Sequence, residues 1–263
     1  MTLQKGDFII IDYVAKVKET GEVFDTTIEE TAKKEHLHKE GEIHEPKLIV
    51  IGENWVLKAL DESFASMEVD KPTPVEIPQD KAFGARDPEK VKRVPLKQLI
   101  AKGISPNTGE RIEFSGKMAT VRAVGAGRVL LDYNPPLAGK TLIYEVTVKK
   151  KLDENKEKIA AIIHRRIPAV EENKFEFSVK AKAVDIEMPE DAYYLEGVQL
   201  AKRGIAMDIQ KFFKEIATVK FTEAFKAEGK EAEPKKPEEA AEASKEKEKE
   251  AEPKKEEKVA AKA

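Results

Sequence analysis

The pattern that most constrains the fold is a series of short apolar segments divided by glycine and proline turns through residues 8–148. Phe8–Val17 is rich in β-branched and aromatic residues and is followed by Thr20 and Gly21, which is typical of a strand that ends in a turn. Residues 54–67 instead place apolar side chains at helical spacing, with Asn54 as a candidate N-cap. The pattern therefore predicts short strands together with a helix over 54–67.

Other stretches of the chain carry their own signals for helices and strands. A polar segment from Ile28 to about Glu40 is predicted to be helical. Residues 87–131 are predicted to hold a short helix and three strands, at 95–100, 111–114, 118–124 and 128–131. From Asp153 the pattern changes to α+β, with helices over 154–166 and about 190–215 and strands near 175–179, 183–187 and 219–221.

Composition narrows the class of protein. The 263 residues suit two or three small domains, and a net charge of −3 gives no general electrostatic case for binding nucleic acid or an anionic membrane. With no cysteine, disulfides and thiolate sites are excluded. The N-terminus lacks a signal-like segment and no apolar stretch approaches the length of a membrane span, so we expect a soluble cytoplasmic protein.

The last part of the chain is nearly devoid of apolar residues. Residues 229–263 consist mostly of lysine, glutamate and alanine, with no aromatic residue and a single valine. A segment of this kind cannot bury enough surface to offset the entropy of ordering it. The sequence predicts a disordered charged tail over 229–263.

Several local motifs occur in an order that is similar to a known family. Phe24-Asp25, Gly52–Asp61, Ile77–Gly84 and Asp132–Lys140 follow Tyr13 in the first strand. Each motif is weak alone, but the ordered set, with an insertion of 87–131, resembles the archaeal long-type FKBP peptidyl-prolyl cis-trans isomerases of the SlyD-like group. The resemblance covers residues 1–150, interrupted at 26–46.

The resemblance implies an α+β fold built of several domains. An FKBP-like antiparallel half-barrel wrapped on a short helix would comprise residues 1–86 and 132–150. A small β-rich domain inserted in the flap would span 87–131, and a C-terminal α+β domain would span 151–228, before the tail. The implied activity is isomerisation of X-Pro bonds in folding polypeptides, with chaperone activity from the insert.

The resemblance also assigns the prolyl site. Its apolar walls would be Tyr13, Phe24, Val56, Leu57, Leu60, Phe83 and Tyr144. Asp25 would orient Tyr13 or face a substrate carbonyl, and the Leu57 N–H is a candidate anchor for the substrate. Leu60 stands where tryptophan is common and Phe83 where tyrosine is usual, which weakens the case for drug-like ligands more than for isomerisation. No cofactor and no metal are implied.

In SlyD-like proteins the insert presents apolar surface to unfolded chains. The corresponding candidates are Val94, Leu96, Leu99, Ile100, Ile104, Phe114 and Met118. The alternative for these residues is simple core, because a domain of this size needs most of its apolar side chains for itself. The expected partners are unfolded or proline-containing polypeptides.

Other interpretations stay open at this point. The chain could be a holdase chaperone that keeps the fold without turnover. Residues 104–131 could form a small RNA-binding barrel, although Phe114 is its only aromatic residue. His36, His38 and His44 could hold a metal, but their spacing matches no closed tetrahedral motif. The apolar residues of the C-terminal helix could support a homodimer.

Overall fold

A computed structural model of the chain describes residues 2–225, so the predicted tail at 229–263 lies outside the described residues. The strands, in chain order, are β1 Phe8–Val17, β2 Val23–Thr26, β3 Lys47–Val50, β4 Thr73–Ile77, β5 Val91–Pro95, β6 Arg111–Phe114, β7 Lys117–Gly125, β8 Arg128–Asp132, β9 Leu142–Leu152, β10 Glu176–Lys180, β11 Ala183–Met188 and β12 Thr218–Glu223. The helices are α1 Glu29–Lys34, α2 Lys58–Ser63, α3 Leu96–Ile100, α4 Asn155–Arg166, α5 Glu190–Tyr193 and α6 Val198–Phe212. Helices and antiparallel sheets together confirm the predicted α+β class.

The first sheet has five strands in the order β2-β1-β9-β4, and β3 pairs with the first half of β1. All of its pairings between these strands are antiparallel. Strand β1 is central and therefore carries the continuous apolar run Phe8–Ile11. Ile9 and Ile11 point into the core beneath α2, whereas Phe8 and Ile10 pack against the C-terminal segment. A strand that is covered on both faces needs apolar residues at successive positions.

The helix after β3 is shorter than the sequence pattern predicts. It begins at Lys58 and ends at Ser63, followed by a 3-10 turn over Phe64–Ser66. The prediction of Asn54 as its N-cap is wrong, because Asn54 adopts a left-handed φ of 55° within the preceding loop. The buried Asp61 carboxylate accepts hydrogen bonds from the backbone N–H groups of Gly52, at 2.9 Å, and Asn54. These bonds fix the loop between β3 and α2.

Residues 91–132 form a separate four-stranded sheet in the order β5-β8-β7-β6, with α3 packed on it. Its core is its own and centres on Leu99, Val121, Val129 and Leu131. The three sequence-predicted strands of this region are confirmed. The sheet also contains a further strand, β5, which pairs with β8. Val91 at the start of β5 lies opposite Asp132 at the end of β8, so the chain enters and leaves the insert at the same place.

The C-terminal segment folds as a hairpin of β10 and β11, to which β12 adds in parallel. A parallel pairing requires a crossover connection, and α5 and α6 provide it. The prediction of one long helix over 190–215 is wrong, because Gly197 adopts a left-handed φ of 77° and separates α5 from α6. Helices α4 and α6 pack on the first sheet through Phe8, Leu48, Val50 and Leu152, so that their apolar residues share one core with it.

No helix within residues 2–225 is long and apolar enough to cross a membrane. The division of the chain into domains at residues 86, 131 and 150 stays a prediction.

Candidate active site

Four of the predicted site residues meet where β2 and β9 flank β1. Ala15 lies opposite Asp25 on β2 and opposite Tyr144 on β9. The Tyr13 hydroxyl donates a hydrogen bond of 2.7 Å to the Asp25 carboxylate. The centroid of the Tyr144 ring lies 5.8 Å from that of Tyr13 and 6.0 Å from that of Phe24. The result is a corner with aromatic walls and a single carboxylate.

Both tyrosines of this corner are buried, with exposed fractions of 6% for Tyr13 and 8% for Tyr144. Burial, together with the hydrogen bond to Asp25, raises the pKa of Tyr13 above its ordinary value. Burial and, secondarily, the charge of Asp25 raise the pKa of Tyr144 to about 12. Because both phenols stay protonated at neutral pH, they present O–H groups and apolar ring faces rather than negative charge.

Lys47 is a member of this corner that sequence reasoning missed. Its Nζ donates a hydrogen bond of 3.0 Å to the Tyr13 hydroxyl and lies 5.3 Å from the centroid of the Tyr13 ring. The hydroxyl therefore accepts from Lys47 while it donates to Asp25. A lysine at the start of a short strand is usually solvated, and 34 positions separate it from Tyr13, so no local signal in the sequence could have found it.

The loop that Asp61 fixes supplies the next part of the site. Val56 and Leu57 are half-buried and pack against the core of the first sheet. Leu57 immediately precedes α2, and among residues 2–225 no acceptor pairs with its backbone N–H. Leu60 is 1% exposed and is therefore part of the core beneath the cleft rather than a side chain on its surface.

Phe83 lies apart from these residues. It follows a 3-10 turn at Gln79–Lys81, is 42% exposed, and has no ring contact with Tyr13, Phe24 or Tyr144. Its neighbour Ala82 packs against the first core. Phe83 therefore stands on the flap with its ring available to a ligand.

This arrangement suits a reaction that breaks no covalent bond. The corner combines ring faces and aliphatic side chains with one carboxylate, one ammonium and an unpaired N–H, and it contains neither histidine nor cysteine. The described part of the chain holds no cluster of three histidine, aspartate or glutamate side chains that could bind a metal. His38 and His44 stack at 5.4 Å, and His44 contacts the Thr26 carbonyl oxygen at 3.1 Å.

A buried carboxylate holds the two ends of the insert together. Asp132, at the end of β8, is 1% exposed and accepts hydrogen bonds from Arg86, at 2.8 Å, and from Arg122, at 3.0 Å. Asn134 donates to Asp132 from both its backbone and its side chain. Burial alone would raise the pKa of Asp132, but these bonds outweigh it and lower the pKa to about 2.

Comparison with known proteins agrees with this geometry. The short-type peptidyl-prolyl cis-trans isomerase of Methanocaldococcus jannaschii is 32% identical over 147 residues, which cover 56% of this chain and 92% of that protein. The FKBP-type peptidyl-prolyl cis-trans isomerase SlyD of Helicobacter pylori is 24% identical over 159 residues, which cover 59% of this chain and 78% of SlyD.

Two family profiles divide the chain between them. The profile described as FKBP26_C-terminal matches residues 155–226. The profile of the FKBP-type peptidyl-prolyl cis-trans isomerases matches residues 1–149, which include the whole aromatic corner, the flap and the insert. The chain therefore belongs to the FKBP-type peptidyl-prolyl cis-trans isomerases, in a SlyD-like form that carries an FKBP26_C domain.

Proposed function

We propose that this prolyl isomerase acts on folding polypeptides and that its insert, residues 87–131, binds the unfolded chain as a chaperone. The proposed action on folding polypeptides is supported by the aromatic corner, in which Tyr13, Phe24 and Tyr144 surround the hydrogen bond from Tyr13 to Asp25. Exposed apolar side chains on the insert support the proposed chaperone role.

The chemistry follows from the barrier. Rotation about an X-Pro bond requires loss of amide resonance, at a cost of about 18–20 kcal/mol. A catalyst must bind the twisted amide better than either planar form. The twisted amide has less charge separation, so a cleft with aromatic walls and little water favours it. In this proposal the Leu57 N–H holds a substrate carbonyl, and Asp25 keeps the Tyr13 ring in place.

Only those side chains of the insert that are exposed can contact an unfolded polypeptide, its proposed client. Val94, Leu99 and Phe114 lie in the insert's own core, and Leu96 and Ile104 pack against it. Ile100 and Met118 are exposed by 59% and 50%. Val124, which the sequence analysis did not single out, is 40% exposed and lines a shallow groove of about 550 Å³ along the β7–β8 hairpin. We propose Ile100, Met118 and Val124 as the client surface.

Holding a polypeptide on the insert would raise its effective concentration at the prolyl site. A second binding site on the same molecule makes the catalytic encounter intramolecular, which can increase apparent affinity by about 100-fold or more. The hydrogen bonds that Asp132 accepts from Arg86 and Arg122 hold together the chain segments at which the insert begins and ends.

Proline-limited refolding of a test protein separates the isomerase with a chaperone insert from a mere holdase. The intact chain should accelerate refolding catalytically, at amounts far below those of the client. Replacement of residues 87–131 by a short turn should remove most of this acceleration while leaving isomerisation of a short peptide largely intact. A chain that only delays aggregation in stoichiometric amounts would contradict the proposal, as would full refolding activity without the insert.

We also propose that the C-terminal segment forms a homodimer. Leu200 and Met207 lie seven residues apart on α6, which places them on one face, and they are 75% and 59% exposed. Tyr194, just before α6, is 87% exposed. Exposed apolar side chains that recur on one helix face are typical of a protein interface.

A further inference from the structure

A groove of about 720 Å³ lies beside the prolyl corner, between residues 41–49 and helix α4. Ile43, Lys47 and Trp55 line one side of it, and Ala161, His164 and Arg165 of α4 line the other. Tyr13 and Val56, two residues of the prolyl site, also line this groove. The groove and the prolyl site therefore share two residues and lie next to each other.

Two contacts between side chains connect the walls of the groove. The Nε2 atom of His164 lies 3.0 Å from the Glu45 carboxylate, and its Nδ1 atom lies 3.1 Å from the carbonyl oxygen of Val170. The Arg165 guanidinium stacks on Trp55 at 3.8 Å from the ring centroid. These contacts join the insertion at 26–46 and the loop before α2 to the C-terminal segment, so the groove is formed before any ligand binds.

The side chains of the groove indicate what it binds. Ile43 is 44% exposed and, with Trp55, Val56 and Ala161, provides an apolar lining. The carboxylates of Glu42 and Glu172 also line the groove, and neither forms an ion pair among residues 2–225. The cations Lys47 and Arg165 are already engaged with Tyr13 and Trp55. The groove therefore suits an apolar side chain next to a basic one.

We propose that this groove is a substrate subsite, in which the polypeptide on one side of the isomerised proline places an apolar residue and a neighbouring lysine or arginine. The proposal rests on the isomerase activity and assigns a role in specificity to the insertion at 26–46 and to α4. Residues well away from the proline would then contribute to catalytic efficiency on long chains.

Peptides of different length test this proposal. The core substrate is a tetrapeptide with one Leu-Pro bond, and extended versions carry about six more residues, roughly 20 Å of extended chain, on the N-terminal or the C-terminal side. Each extension contains Leu-Arg, Leu-Glu or Ser-Ser, and a set of peptides places this dipeptide at each successive position along the extension. With the unmodified protein, one Leu-Arg extension should raise kcat/KM about tenfold over the core peptide, whereas the Ser-Ser extension should raise it less than about twofold.

Two substitutions then assign the gain to the groove. Ile43→Asp places a charge on the apolar lining and should reduce the gain from the Leu-Arg extension to about twofold or less. Glu172→Lys, at an exposed position with little risk to folding, should shift the preference from Leu-Arg to Leu-Glu. Val179→Asp is the matched control, because Val179 is 43% exposed on β10 and does not line the groove, and it should retain the full gain.

Equal kcat/KM values for core and extended peptides would overturn the proposal, as would a gain that survives both Ile43→Asp and Glu172→Lys in folded protein. Failure of the isomerase assignment would look different, because the unmodified protein would then fail to accelerate even the core tetrapeptide.

Discussion

At the scale of single residues, the Tyr13 hydroxyl organises the prolyl site. It donates to Asp25 and accepts from Lys47, and the Tyr13 backbone is bound by two buried threonines, Thr26 and Thr27. A buried hydroxyl with both a donor and an acceptor has its hydrogen bonds satisfied and its ring orientation fixed. The orientation of the Tyr13 ring is therefore set by polar contacts at its hydroxyl edge.

Substitution of Asp25 should show how much this orientation contributes. In Asp25→Ala the charged acceptor of Tyr13 is lost, and a hydrogen bond to a charged group contributes about 1.5–3 kcal/mol. We expect kcat/KM for a tetrapeptide to fall by roughly 10- to 100-fold. Tyr13→Phe removes the same hydrogen bond while it keeps the ring and the carboxylate, so its loss should be similar. A much larger loss in Asp25→Ala than in Tyr13→Phe, with unchanged thermal unfolding, would contradict the proposal that Asp25 acts by holding Tyr13.

At the scale of elements, Asp132 holds together the two ends of the insert. Arg86 precedes β5, Arg122 lies on β7, and Asn134 follows β8, yet all three donate to this one carboxylate. Asn134 also bonds the backbone of Asp87 in both directions. The chain segments that enter and leave the insert are thereby held together. This arrangement explains why aspartate and asparagine occur within the motif that follows the insert.

Asp132 should make stability depend on acid pH. Its pKa is about 2 in the folded chain, against an ordinary value of 3.8, so its stabilisation is fully present above pH 4 and is lost as pH falls through about 2. The shift corresponds to about 2 kcal/mol at neutral pH. Denaturant unfolding should show Asp132→Asn destabilised by about this amount at neutral pH. The difference should shrink as pH falls through 2 and vanish near about pH 1, below both pKa values, and one that persists there would argue against the ionised carboxylate as its cause.

The break between α5 and α6 gives a second prediction for elements. Gly197 has a φ of 77°, and a Cβ placed on it would meet no atom within 4 Å. Gly197→Ala should therefore destabilise the chain through backbone strain alone, by about 1 kcal/mol. Gly125→Ala is a suitable control, since Gly125 is equally open and has no positive φ. Equal unfolding free energies for the two variants would show that Gly197 is not required for the break.

At the scale of the whole molecule, the two additions to the FKBP sheet are attached differently. The insert has its own core, and a hydrogen bond of Asp132 with Arg86 holds the chain where it enters and leaves the insert. The C-terminal segment instead shares a core with β1, β3 and β9, and Phe8 contacts Phe212 at 5.1 Å between ring centroids. Removal of the insert exposes little apolar surface, whereas removal of the C-terminal segment would expose one face of the first sheet.

The proposed homodimer can be tested by its oligomeric state. The double substitution Leu200→Glu and Met207→Glu introduces charges on the exposed face of α6, where desolvating them in an interface would cost several kcal/mol. Sedimentation analysis should show a dimer for the unmodified chain and a monomer for the variant. Glutamate at Val179, which is 43% exposed on β10 and away from α6, would control for added charge. A monomer at all concentrations for the unmodified chain would contradict the proposal.

The order of the motifs was enough to predict the family, and most strands could be predicted from short apolar runs and glycine or proline turns, because these act locally. The resemblance also predicted a shared site for Tyr13, Phe24, Asp25 and Tyr144, whose side chains the structure brings together. The partition of the insert's apolar residues between core and surface depended on how its strands pack, and composition does not encode that.

Which distant segments meet depends on the tertiary structure. Lys47 reaches Tyr13, Asp61 fixes the loop at Gly52 and Asn54, and His164 joins Glu45 across 119 positions. Each of these contacts depends on the approach of two elements and leaves no periodic or local signal in the sequence. The groove beside the prolyl site exists for the same reason, since its walls come from parts of the chain that folding alone brings together.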